Sequence, residues 1–416
     1  MTAETRSTFT PLERMPRQEL TWRWDRCREQ LAALQPEAGG LLAFSRLNIY
    51  YLSGCAVNGV FWLPLEGEPA VLVRRGLERV ALESSCTHQL AFRSFGDIPK
   101  VLADLGQVFP ATVAAEMGGL SWNLGQSLCK RLTETTFLPG DEVLLRTRAV
   151  KSAWELAKMR LGGARQDQCL QQDLPGMISP GMTEREIALK VWEAYFARGH
   201  QGLMRMGNYG EEIFLGHVAA GDSANYPSVF NGPVGLRGAH PAVTQMGYAG
   251  KVWLQGEPLA IDAGFALEGY SLDKTQVYFA GSQRDIPDLA RRGHEFCKRV
   301  QSWLADHLVP GAVPAELYDR VVQWAEKEGW SEGFMALEGN KVIFLGHGIG
   351  LAIDEWPVLA RGFDQPLEAG TTLALEPKMG VPGLGMVGVE NTFVVTEQGG
   401  ECLTGDVFDI LCLAGR

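Results

Sequence analysis

Glu257-Pro-Leu-Ala-Ile-Asp262-Ala-Gly264, followed by Tyr270-Ser-Leu-Asp273-Lys-Thr-Gln-Val-Tyr278, decides how the C-terminal half of the chain is read. The first run is an apolar strand that ends in a carboxylate. Eleven residues after Asp262, Asp273 stands near the start of a returning strand. A glycine-containing hairpin between the two brings both carboxylates onto one face at adjacent positions. Two carboxylates side by side in apolar surroundings repel each other unless a cation or a proton lies between them.

Working outward, three more segments offer matching groups. Gly346-His347-Gly-Ile-Gly350 sets an imidazole in a glycine-rich stretch where backbone approaches closely. Leu373-Ala-Leu-Glu376-Pro377 ends another apolar run in a carboxylate, and Val387-Gly-Val-Glu390-Asn-Thr-Phe places one at the start of a strand. Each residue alone has an ordinary reading: a turn aspartate, a glutamate before proline at a strand end, a satisfied loop histidine. Together, two Asp, two Glu and one His form an oxygen-rich set suited to a pair of divalent ions such as Mn, Co, Fe or Zn.

The rest of the chain frames this constellation. Residues 1–14 read as a loosely docked arm. Over 15–148 strands and helices alternate as in an α/β domain, with a hairpin at Gly67 between Val60-Phe-Trp-Leu-Pro64 and Pro69-Ala-Val-Leu-Val-Arg74. The character changes near 148, and 149–416 form a second domain. Helices are expected over 152–173, 183–198, 287–308 and 314–328, with Thr183 and Glu186 as a capping box. A net charge of −11 without a Lys/Arg run speaks against nucleic acid and against anionic membranes. The polar N-terminus leads into no apolar segment, and the eight cysteines are scattered without a Cys-x-x-Cys pair, which points to reduced thiols in a cytoplasmic protein.

The ordered set Asp262, Asp273, His347, Glu376, Glu390 resembles the pita-bread metallopeptidases: methionine aminopeptidase, aminopeptidase P, prolidase and their relative creatinase. Residues 15–148 likewise resemble the N-terminal α/β domain of creatinase and prolidase. The resemblance implies an α+β pita-bread catalytic domain behind that α/β domain, in a homodimer. It also implies two divalent ions, manganese foremost, with Asp262 on one, Asp273 and Glu390 bridging, and His347 and Glu376 on the other. A metal-bridged hydroxide would then cleave a short peptide of Xaa-Pro type, with Glu376 as the proton shuttle. Two other readings stay open: a creatinase-like C–N hydrolase or lyase acting on a small zwitterion, and a binding protein of the same fold without catalysis.

The chain departs from the family's pattern at several places. Asp354 stands where family peptidases carry a second histidine, an N–H donor exchanged for an acceptor. Gln276 and Gly388 stand where arginines are usual, and glycine at 388 is expected to leave room for a bulkier substrate group. Lys378, after Glu376-Pro377, reads as a solvated side chain. For the histidine that lies upstream of Asp262 in the family, His240 is the preferred candidate and His217 the competing one.

Overall fold

The structure, a computed structural model, describes residues 9–208, 211–337 and 339–414. The chain divides into two units, Met1–Arg148 and Ala149–Arg416. In the first, α1 (Arg17–Leu34), β1 (Gly40–Ala43), α2 (Arg46–Ser53), β2 (Asn58–Pro64), β3 (Ala70–Arg75), α3 (Leu77–Glu83), β4 (His88–Ala91), α4 (Ile98–Ala103), β5 (Thr112–Ala115), α5 (Trp122–Arg131) and β6 (Thr136–Pro139) precede α6 (Asp141–Ala149). The six strands form one mixed sheet in the order β4-β3-β2-β1-β5-β6, with β2 and β3 antiparallel about the Gly67 turn. Of the expected arm, residues 1–8 lie outside the described residues; Arg14 at its end donates to the Ser84 carbonyl at 2.6 Å.

In the second unit, two capping boxes open the first helices. Ser152 with Glu155 starts α7 (Ala153–Gln168), and Thr183 with Glu186 starts α8 (Glu184–Ala197). Instead of running on to 173, α7 gives way to a wider turn over Cys169–Asp173. Then follow β7 (Leu203–Arg205), β8 (Glu212–Phe214), β9 (Gly216–Ala220), β10 (Pro258–Leu267), β11 (Tyr270–Ala280), α9 (Asp288–His307) and α10 (Pro314–Lys327). The chain closes with β12 (Phe344–Gly348), β13 (Glu355–Ala360), β14 (Thr372–Leu375), β15 (Lys378–Val381), β16 (Gly385–Gly388), β17 (Glu390–Thr396), β18 (Gly399–Cys402) and β19 (Leu411–Leu413). The main sheet runs β13-β12-β14-β17-β11-β10-β9, while β15 and β16 pair separately.

Period-two alternation decides which side chains the sheet shows to each face. Along β10, Leu259, Ile261, Ala263 and Phe265 pack with Val191 and Tyr195 of α8. On β14 and β17, Leu373, Leu375, Phe393 and Val395 pack with Phe296 and Val300 of α9. The alternate positions of these strands are thereby turned to the other face. No helix among the described residues is long and apolar enough to cross a membrane.

Helix α7 meets the sheet through Gly162 and Gly163. A Cβ at 163 would lie 1.9 Å from the Leu403 carbonyl oxygen, and one at 162 would lie 2.7 Å from Leu272 Cδ2. The contact is backbone to backbone, so no rotamer relieves it. Gly163→Val is expected to lower stability by about 2–3 kcal/mol through overpacking, read by urea unfolding of the full chain. Gly125→Ala, in a helix with open space around it, should be neutral or stabilising.

Candidate functional site

A row of side chains crosses four strands on one face of the main sheet. Strand register sets Glu390 of β17 opposite Thr275 of β11, Thr275 opposite Asp262 of β10, and Asp262 opposite His217 of β9. Thr275 Oγ1 stitches the row, 3.0 Å from Asp262 Oδ1 and 2.8 Å from Glu390 Oε2. Asp273 lies two residues before Thr275 and shares its face. Its direct partner is Gly264, so Asp262 and Asp273 are diagonal neighbours rather than an opposed pair. Gly264 has no Cβ for a reason: one there would meet Ile353 Cδ1 at 2.4 Å and Met204 Cε at 2.7 Å.

The remaining candidates arrive from the other side of the sheet. His347 on β12 sits opposite Ala374, and Glu376 follows the end of β14. His347 Nε2 is 3.7 Å from Glu376 Oε1. Asp273, His347 and Glu390 each offer one ligand atom, all within 4.8 Å of one another. All five residues of the ordered set therefore converge. They do so around a sixth residue that the sequence reading assigned to solvent.

Lys378 is fully buried, at 0% exposure. Its Nζ is 2.6 Å from Glu390 Oε2, 3.0 Å from Glu376 Oε2 and 3.2 Å from Asp262 Oδ2. The expectation of a solvated lysine is thus corrected. In an extended chain residues i and i+2 point the same way, so with Pro377 facing away, Lys378 returns to the side of Glu376. That alternation was the available signal. Burial opposes the ammonium, but Asp262, Glu376 and Glu390 together outweigh it and hold the lysine well above its ordinary pKa.

The carboxylates divide according to their neighbours. Burial would raise Asp262, yet Lys378 and His217 beside it bring it down to about 2. Asp273 is pushed up to about 7 by burial and by the charge of Asp262, and Glu390 is raised well above its usual range by burial and by Asp273. Asp273, which makes no ion pair with Lys378, is thus the carboxylate short of positive charge. With Glu390 and His347 it forms an N,O donor set fitting one divalent cation. Asp262, Glu376 and one oxygen of Glu390 already surround an ammonium.

The upstream histidine is corrected as well. His240 lies exposed in a turn, its Nδ1 accepting the Ala242 N–H at 3.1 Å. His217 is the one in the row, 6% exposed, with Phe230 edge-on at 5.0 Å. Burial lowers its pKa against the pull of Asp262, and its Nε2 is buried without a hydrogen-bond partner among the described residues. The signal was register: His217 lies in the strand that pairs beside Asp262, whereas His240 lies beyond it.

Three departures take concrete form. Asp354 accepts the Gly207 N–H, while the neighbouring Ile353 N–H donates to the Arg205 carbonyl, so this loop is tied to the chain after β7. Gln276 points away from Thr275 and bonds Gln171 and the Asp409 carbonyl. Gly388 leaves no room, contrary to expectation. Its φ is +124°, and a Cβ would lie 2.6 Å from both Lys378 Cα and the Pro377 carbonyl oxygen. Gly388→Arg, which restores the family's side chain, is therefore expected to cost about 2–3 kcal/mol or more and to restore no activity. Urea unfolding alongside peptide-cleavage assays checks this.

Comparison with known proteins agrees with this architecture. Residues 23–150 match the Creatinase/Prolidase N-terminal domain. An Xaa-Pro dipeptidase of Pyrococcus furiosus is 25% identical over 359 residues, covering 86% of this chain and 91% of that one. A probable dipeptidase of Mycobacterium bovis is 29% identical over 383 residues, covering 88% and 91%. Among solved structures, an Xaa-Pro dipeptidase from Bacillus anthracis superposes with a TM-score of 0.78 at 20% identity, covering 95% of this chain and 100% of that one. The fold is thus the two-domain plan of prolidases, an α/β N-terminal domain followed by the pita-bread domain. Residues 157–397, more than half the chain and the span that holds all five converging residues, match metallopeptidase family M24, and the chain belongs to that family.

Proposed function

We propose that the chain is a metal-dependent hydrolase of short peptides, of the Xaa-Pro dipeptidase or aminopeptidase kind. The observation that carries this reading is the convergence of Asp273, His347 and Glu390, with ligand atoms within 4.8 Å of one another, in the part of the chain that matches the metallopeptidase family. These three side chains would hold the ion. A divalent ion bound there supplies Lewis-acid polarisation of the scissile carbonyl and lowers the pKa of a water.

The chain's own groups do the rest. Glu376, with Oε1 toward His347 and Oε2 toward Lys378, takes a proton from the attacking water and passes it to the leaving amine. His217 meets the substrate through Nε2, the ring atom left without a protein partner. Asp262 and Lys378 stay paired through the reaction and keep the Glu376 carboxylate in place. Asp354, whose carboxylate accepts the Gly207 N–H, holds the loop beside His347.

Purified full chain, supplied in turn with Mn, Co, Fe and Zn, is expected to cleave Xaa-Pro dipeptides or longer Xaa-Pro peptides. Absence of cleavage with all four metals overturns the reading, and turnover of creatine instead would move the chain to the C–N hydrolase class. Glu376→Gln should lower kcat by roughly 10²–10⁴-fold. His217→Ala should lower kcat/KM by roughly 10²-fold, with His240→Ala indistinguishable from wild type. The reverse ranking of the two histidine variants would restore His240 to the site.

A further inference from the structure

We propose that the ammonium of Lys378 permanently takes the place of one of the two divalent ions that the family resemblance implies, so that this chain binds a single ion, at Asp273, His347 and Glu390. The inference rests on the metal-dependent reading above and specifies its metal content.

Three observations carry it. The first is stereochemical. An ammonium has three N–H donors and no acceptor, and Lys378 Nζ finds three carboxylate oxygens at 2.6, 3.0 and 3.2 Å, one each from Glu390, Glu376 and Asp262. A divalent ion coordinating those same oxygens at about 2.0–2.2 Å would occupy the space that Nζ fills. The triangle holds one cation or the other.

The second is that the lysine is clamped. Its backbone pairs with Gly388 across β15 and β16, its carbonyl accepts the Met335 N–H at 2.9 Å, and Gly388, at φ +124°, packs against its Cα so closely that a Cβ there would lie 2.6 Å away. With 0% exposure, the side chain has no path to solvent that leaves this packing intact. A tethered cation held in this way does not exchange with metal in solution.

The third is the partition of the ligand set. Asp262 and Glu376 serve Lys378, whereas Asp273 forms no ion pair with its ammonium within 4.0 Å and His347 faces Glu376 through Nε2. Glu390 belongs to both groups, with Oε2 toward Lys378 and Thr275. Lys378 also cancels one of the four carboxylate charges, which lowers the cluster's demand for metal charge.

The test is metal content. Full-length protein is stripped with chelator, loaded with Mn²⁺, desalted and measured by elemental analysis and by electron paramagnetic resonance. Wild type is expected to retain one ion per chain with the six-line spectrum of an isolated Mn²⁺. His347→Ala should retain none, and Lys378→Ala should take up a second ion and show an exchange-coupled spectrum. Because Lys378→Ala uncovers buried carboxylates and so puts folding at risk, the wild-type count and spectrum decide by themselves. Two ions with a coupled spectrum in wild type overturn the inference and leave the metal-dependent reading standing. No retained ion overturns both. A single ion that survives His347→Ala, or a folded Lys378→Ala that still holds only one, overturns the assignment of Lys378 as the excluding cation.

Discussion

Three buried carboxylates and a half-buried one, Asp262, gathered at one face of a sheet carry more negative charge than an apolar interior tolerates, and in this protein one of the balancing cations belongs to the chain. Lys378 closes three ion pairs at once, with Asp262, Glu376 and Glu390. Removing a partner from such a cluster leaves a charge stranded in low dielectric, and that costs more than the pair contributed. Lys378 and His217 hold the Asp262 carboxyl low against its burial, while burial and the charge of Asp262 push Asp273, which has no ion pair to the lysine, upward. The site is therefore asymmetric before any ligand arrives.

That asymmetry depends on strand register. A one-residue slip of β11 against β10 would turn Thr275 and Asp273 to the helix side and bring Lys274 and Gln276 to the site. The opposite face is equally committed. Lys274 is tied to Asp167, Asn391 and the Thr404 carbonyl, and Gln276 to Gln171 and Asp409. Glycines at 264 and 388 let Met204, Ile353, Pro377 and Lys378 approach where a side chain would intrude. Two departures from the family's pattern are connected: an arginine at 388 is incompatible with the packing that holds Lys378.

Much of this was legible in the chain itself. The five converging residues were found because carboxylates at the ends of apolar runs, and an imidazole among glycines, keep their order and context whatever the surrounding sequence does. The capping box at Thr183 and the long helices α9 and α10 follow from local chemistry in the same way. The misreadings share a cause. Lys378, Gly388 and the choice between His217 and His240 each depend on which residue lies across a strand or behind a turn, and that is a long-range property.

By itself, the sequence determined the two-domain plan and the types and order of the five converging residues, because hydrophobic periodicity and residue chemistry are local. Only the tertiary structure decided that Lys378 stands among three of those carboxylates, that Gly388 has no space beside it, and that His217 rather than His240 faces the cluster. Alternation puts Lys378 on the side of Glu376, but nothing local to a lysine between a proline and a methionine says how deeply that side is buried. Its ammonium is stable there only because β10, β17 and the end of β14, distant in sequence, bring three carboxylates within 3.2 Å of one nitrogen.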